Sequence, residues 1–147
     1  MFGSIVVGTD GSDTARKAVD QAIDLAKSVG GKLEIVSAYE PVSDARLREE
    51  RQEVPADLQW MVNPREDVDA TLKDAAAAAE AAGVNVETHA RQGDPADAIL
   101  DVAEEQGSDL IVVGNKGMTG AKRFLLGSVP NKVSHHAPCS VLIVRTT

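Results

Sequence analysis

The sequence predicts an α/β domain, a parallel sheet doubly wound by helices on both faces. Three observations carry this. Short apolar runs rich in β-branched residues recur at Ile5–Val7, Leu33–Tyr39, Leu110–Val113 and Val141–Val144, as expected of strands buried on both faces. Between them lie longer segments with apolar residues at helical spacing. The boundaries carry capping residues at helix starts and glycines at helix ends.

The first strand lies within Phe2–Gly8 and enters a tight turn at Gly8-Thr9-Asp10-Gly11-Ser12. Ser12 is placed to cap the next helix. Along that helix Ala15, Ala18, Val19, Ala22, Ile23, Ala26 and Val29 share a face, and Gly30-Gly31 ends it. Leu33–Tyr39 is the second strand, stopped before Pro41. The stretch 40–63 is charge-rich and reads as a long, variable connection, of the kind that serves as a lid or a disordered segment. Trp60, Met61 and Val62 are expected to anchor its end as core or interface residues.

Asn63-Pro64 supplies a cap and an N1 proline for an alanine-rich helix that Gly83 ends. Alternation of Val84, Val86 and Thr88 predicts a third strand over 84–90. Asp94-Pro95 repeats the cap-and-proline start, Ala98, Ile99, Val102 and Ala103 give that helix its apolar stripe, and Gly107 closes it. Leu110–Val113 is the fourth strand. A short helix from about residue 129 to His136 precedes Pro138, and Val141–Val144 is the fifth strand. The 147 residues make one domain, with about two-thirds of the unfolded surface buried.

Composition narrows the function. The net charge of −8 repels a polyphosphate backbone, so no nucleic-acid partner is expected. A small anion remains open, because the amides at a helix N-terminus hold one without net positive charge. No segment approaches the roughly 20 apolar residues of a membrane span, and no basic region leads into an apolar signal core, so a cytoplasmic location and no membrane partner are expected. The single cysteine, Cys139, makes no intramolecular disulfide and reads as a small buried apolar residue.

The chemistry concentrates in Gly114-Asn115-Lys116-Gly117-Met118-Thr119-Gly120 and, further on, Gly127-Ser128-Val129. This stretch follows a buried strand and precedes a helix. Glycines let backbone bend and approach a phosphate closely. The helix start presents unpaired amides and the positive end of a dipole, and the Ser128 hydroxyl can both cap the helix and donate to a phosphate oxygen. The stretch is neither a Walker A loop nor a G-x-G-x-x-G fingerprint, since Gly114, Gly117 and Gly120 are evenly spaced and no glycine is followed by Lys-Ser or Lys-Thr. Its position after a buried strand and before a capped helix favours a phosphate loop over the alternative, a merely permissive turn. Lys116 and Arg123 either balance phosphate charge or are solvated surface residues. His135 and His136 complement the helix dipole. With His89 the only other histidine, no intrinsic metal site is expected.

Gly114-x-x-Gly117, nine residues, then Gly127-Ser128 resembles the signature of the nucleotide-binding (ATP-binding) branch of the universal stress protein family. Val6–Ser12, Asp109–Gly114 and Pro138–Val144 resemble that family's first, fourth and last strands, so the likeness covers nearly the whole chain apart from 40–63. The resemblance implies a three-layer, Rossmann-like fold of the adenine nucleotide alpha hydrolase type with a five-stranded parallel sheet. It implies that Gly114, Gly117, Gly127, Ser128 and Val129 hold phosphates and ribose. Val113 and the backbone at Ala38 would line the adenine, and Gly8, Thr9 and Asp10 would close the other side. Asp10 would lie near the ribose or a nucleotide-bound magnesium; its alternative role is a turn residue bonding its own backbone. Pro130 replaces a threonine common in the family, which removes a hydroxyl and an amide and favours a ligand with fewer phosphates.

The implied ligand is ATP, with AMP or cyclic AMP using the same adenine and ribose groups. The implied function is a stress-response regulator that does not catalyse. The alternative, a slow ATP hydrolase or phosphotransferase, needs a residue to orient the attacking group, and only Asp10, as a metal contact, is available. A homodimer through the last strand is implied as well, because an apolar strand at a sheet edge invites pairing.

Overall fold

The computed structural model describes residues 2–39, 65–115 and 126–146. The connection 40–63, Trp60 to Pro64, Lys116, Gly117 and Arg123 lie outside them. Five strands and four helices alternate: β1 Ser4–Gly8, α1 Asp13–Val29, β2 Lys32–Tyr39, α2 Arg65–Ala81, β3 Val86–Gln92, α3 Pro95–Glu105, β4 Leu110–Gly114, α4 Ser128–His136 and β5 Ser140–Val144. The strands form one sheet in the order β3-β2-β1-β4-β5. Every pairing is parallel.

Strand alternation explains the three layers. Ile5, Val7, Leu33, Ile35, Leu110 and Val112 face α1 and α2, where they meet Ala18, Val19, Ala22, Ile23, Val68 and Leu72. Val6, Val36, Ile111 and Val113 face the opposite way and meet Ala98, Ile99, Val102 and Val133 of α3 and α4. Both faces of the central strands are therefore covered, and their side chains are almost wholly buried. This is why the centres of β1 and β4 read as unbroken apolar runs.

The punctuation seen in the sequence is realised in the backbone. The Ser12 hydroxyl accepts from the Ala15 amide at 3.1 Å, and Asp94 accepts from the Asp97 amide at 3.0 Å ahead of Pro95. Gly30 and Gly83 adopt left-handed φ values of 70° and 80° just past the ends of α1 and α2. The third strand begins two residues later than alternation predicts. Val84 is buried, but its amide donates to Ala79 O at 3.0 Å. It belongs to the closing turn of α2, so the ladder starts at Val86.

The start of α4 corrects another expectation. Gly127, not Ser128, is the N-cap, with no side-chain cap bond, and Ser128 is the first helical residue. The Gly127 carbonyl accepts the first intrahelical bond from the Asn131 amide at 3.0 Å. Pro130 therefore falls in the first turn, where an amide has no helical partner and its absence is tolerated.

The edges of the sheet differ. β3 carries polar and charged residues, whereas β5 exposes Leu142 and Ile143. Ties at the opposite end of the sheet hold β1 to β4: Asp109 accepts from the Gly3 and Ser4 amides, each at 3.1 Å.

Candidate functional site

β1 leads into α1 on one face of the sheet, and β4 leads towards α4 on the other. Neighbouring strands whose connections leave in opposite directions open a crevice at their carboxyl ends. A cleft lies there. Gly8, Thr9 and Asp10 from the end of β1 form one wall, and Val113, Gly114, Val129 and Pro130 form another. Val36, Ser37 and Ala38 of β2, with Ala15, Pro95 and Ile99, complete the lining. A second cavity lies between α1 and α2, lined by Arg16, Asp20, Thr71 and Asp74 among others. Both have a volume of about 120 Å³, so size does not separate them; only the first adjoins the carboxyl ends of both β1 and β4 and the start of α4.

The cleft brings together seven of the residues singled out in the sequence: Gly8, Thr9, Asp10, Ala38, Val113, Gly114 and Val129. Gly127 and Ser128 stand immediately before Val129 at the helix start. Of the four amides that open α4, Gly127 N–H donates to Asn115 O at 2.9 Å and Pro130 has none. The amides of Ser128 and Val129 have no helical acceptor, and they lie at the positive end of the helix dipole, where an anion is favoured.

The turn Thr9–Ser12 is built by its own side chains. Thr9 Oγ1 accepts from the Gly11 amide at 3.1 Å, and Asp10 Oδ1 accepts from the Ser12 amide at 2.9 Å. Asp10 thus takes the turn-forming role and lines the cleft as well. It is the one ionisable side chain among the described lining residues. The rest of the floor is apolar, from Val36, Ala38, Ile99 and Val113, a surface suited to the face of a flat heterocycle.

Two features escaped the sequence reading. Asn115 accepts at Oδ1 from Thr146 N at 2.8 Å and Thr146 Oγ1 at 3.0 Å. Glu34, in the middle of an apolar strand, is 1% exposed. Its carboxylate pairs with His89 Nε2 at 2.8 Å and Lys32 at 3.3 Å. Among the described residues, Glu34, Glu87 and His89 are the group with metal-ligand character, their ligand atoms within 4.8 Å of one another. The Lys32 ammonium supplies the positive charge at this place, 3.1 Å from Glu87 as well. The hydrogen bond to Glu87 is the largest influence on Lys32 and raises its pKa above the ordinary value.

Comparison with known proteins decides the family. The family model described as "Universal stress protein family" matches residues 1–145.

The chain belongs to the universal stress protein family.

It is 42% identical over 148 residues to universal stress protein Rv1636 of Mycobacterium tuberculosis, spanning 99% of this chain and 98% of that one. It is 38% identical over 159 residues to universal stress protein YxiE of Bacillus subtilis, spanning 99% and 100%. The solved structure of a universal stress protein in complex with cAMP shares the fold, with a TM-score of 0.71, 35% identity and coverage of 99% of this chain and 98% of that chain. No described helix is long and apolar enough to cross a membrane.

Proposed function

We propose that this universal stress protein binds an adenine nucleotide in the β1–β4 cleft and acts as a regulatory protein of the stress response, in the cytoplasm. The observation that carries the reading is the meeting of an apolar floor with the open start of a helix at one crevice: Val36, Ala38 and Val113 on one side, Val129 on the other, with the Ser128 and Val129 amides lacking a helical acceptor. The first fits an adenine ring, the second a phosphate. The likeness to a universal stress protein solved with cAMP supports an adenine nucleotide as the class. In this reading Gly114, Gly117, Gly127, Ser128 and Val129 hold phosphate and ribose, Val113 and Ala38 hold the base, and Gly8, Thr9 and Asp10 close the site.

ATP is the first candidate. AMP and cyclic AMP are the alternatives, since Pro130 offers a phosphate neither an amide nor a hydroxyl and they need fewer phosphate contacts than a triphosphate. Asp10 is the residue to which a nucleotide-bound magnesium would attach. The slow hydrolase is the weaker reading, because Asp10 alone among the described lining side chains is ionisable, and a metal contact there leaves no base to orient water. We further propose a homodimer formed through β5, whose Leu142 and Ile143 are 41% and 38% exposed on an edge strand.

Calorimetric titration with ATP, ADP, AMP and cyclic AMP, with and without magnesium, tests the site. Gly114→Ala places a Cβ where backbone must approach the ligand, and weakened binding of the preferred nucleotide is expected. Wild-type protein that binds none of the four would refute the reading.

A further inference from the structure

We propose that Asn115 is a positioning residue for phosphate binding, a clasp that fixes the spacing between the end of β4 and the start of α4. The inference rests on the nucleotide reading above and adds a residue that lines no part of the cleft. Among the described residues, Asn115 makes four hydrogen bonds in three directions. Its amide donates to Val144 O at 2.9 Å, extending the β4–β5 ladder, and its carbonyl accepts from the Gly127 amide at 2.9 Å. Its side-chain oxygen accepts from Thr146 N at 2.8 Å and Thr146 Oγ1 at 3.0 Å. Thr146 is 3% exposed, and its carbonyl accepts from Lys17 Nζ at 3.1 Å, which fastens the clasp to α1.

The consequence follows from hydrogen-bond accounting. A buried Thr146 offers two donors to a single acceptor atom, so removing that atom leaves both without their partner. The backbone of residue 115 then loses its anchor to the segment after β5, and the Gly127 amide loses a fixed acceptor. A phosphate gripped by Gly114 on one side and the Ser128 and Val129 amides on the other depends on that spacing. The adenine floor, built from β2 and β4, does not. Asparagine suits the position because it supplies the acceptor without a negative charge beside an anion site.

The test is calorimetry on the full chain with adenosine, AMP and ATP, for wild type, Asn115→Ala, Thr146→Val and the double variant. Loss of two hydrogen bonds predicts that Asn115→Ala weakens AMP and ATP binding by about tenfold, and loss of one predicts about threefold for Thr146→Val. Adenosine binding stays within about twofold of wild type, and the double variant is no weaker than Asn115→Ala, because the two residues act as one unit. Equal losses for adenosine and ATP, unchanged ATP binding, or additive losses would each overturn the proposal. Should Asn115→Ala fail to fold, Thr146→Val carries the same contrast between adenosine and ATP. Asn115→Asp, which keeps the acceptor, restores slow hydrogen exchange at the Thr146 amide; fast exchange in that variant also counts against the clasp. Wild-type protein that binds neither adenosine nor nucleotide brings down the nucleotide reading itself, and this proposal with it.

Discussion

At Gly8 the backbone of β1 passes so close to α3 that an added Cβ would overlap Ile99 Cδ1. The glycine thus serves packing as well as the cleft it lines. Gly8→Ala is expected to lower stability by about 1–3 kcal/mol, the usual effect of overpacking. The same change in an Ile99→Ala background loses much less, because the obstructing atoms are gone; urea unfolding of the four proteins measures both. Asp109 gives a pH-dependent counterpart. Burial acts to raise its carboxyl pKa, but the Ser4 and Gly3 amides outweigh this and hold it below the ordinary value of 3.8. A depressed carboxylate stabilises the fold above its unfolded pKa, and that contribution is lost as pH falls through the folded value. Asp109→Asn should therefore be less stable than wild type at neutral pH, with the gap closing below about pH 4. A gap that stays constant in acid would show that the carboxylate charge is not what ties β1 to β4.

At the scale of elements, Glu34 binds β2 to β3. It is buried against His89 on the neighbouring strand and Lys32 on its own. His89→Leu leaves a buried carboxylate short of a donor and is expected to destabilise by about 1–3 kcal/mol. Glu34→Leu/His89→Leu, which removes both polar partners, should recover most of that loss in denaturant unfolding. A double variant worse than the single one would contradict this account of the pair. Glu34 was not legible because a lone acid inside an apolar strand has no periodic signal; its partner stands fifty-five positions away. The helix caps at Ser12 and Asp94 were legible because capping is local. The start of β3 was misread by two residues because Val84 satisfies the apolar alternation with its side chain while its amide completes α2. Residue type alone makes Ser128 a cap, whereas the first bond of α4 forms on Gly127.

Across the whole molecule, the alternation of buried runs with amphipathic helices was sufficient to place five strands and the crevice between β1 and β4. Of the residues that the resemblance to universal stress proteins implies, Gly8, Gly114, Val113 and Ala38 line it, whereas Gly117 lies outside the described residues. Only three dimensions reveal how the crevice is fastened, since Asn115, Lys17 and Thr146 meet across the full length of the chain. The exposed β5 edge belongs to this scale too. Leu142→Glu places a charge on that strand and should convert the proposed dimer to monomer in chromatography with light scattering, with the folded spectrum retained. A wild-type protein that elutes as a monomer at all concentrations would rule the dimer out.

The most direct measurement is to denature the purified protein and identify any released small molecule by mass spectrometry, alongside titration of nucleotide-free protein with ATP, AMP and cyclic AMP. An adenine nucleotide that is released or bound by wild type, and bound more weakly by Gly114→Ala, is the predicted result. Nucleotide-free protein that takes up none of the three would contradict the assignment of the β1–β4 cleft and leave its glycine loop a structural turn.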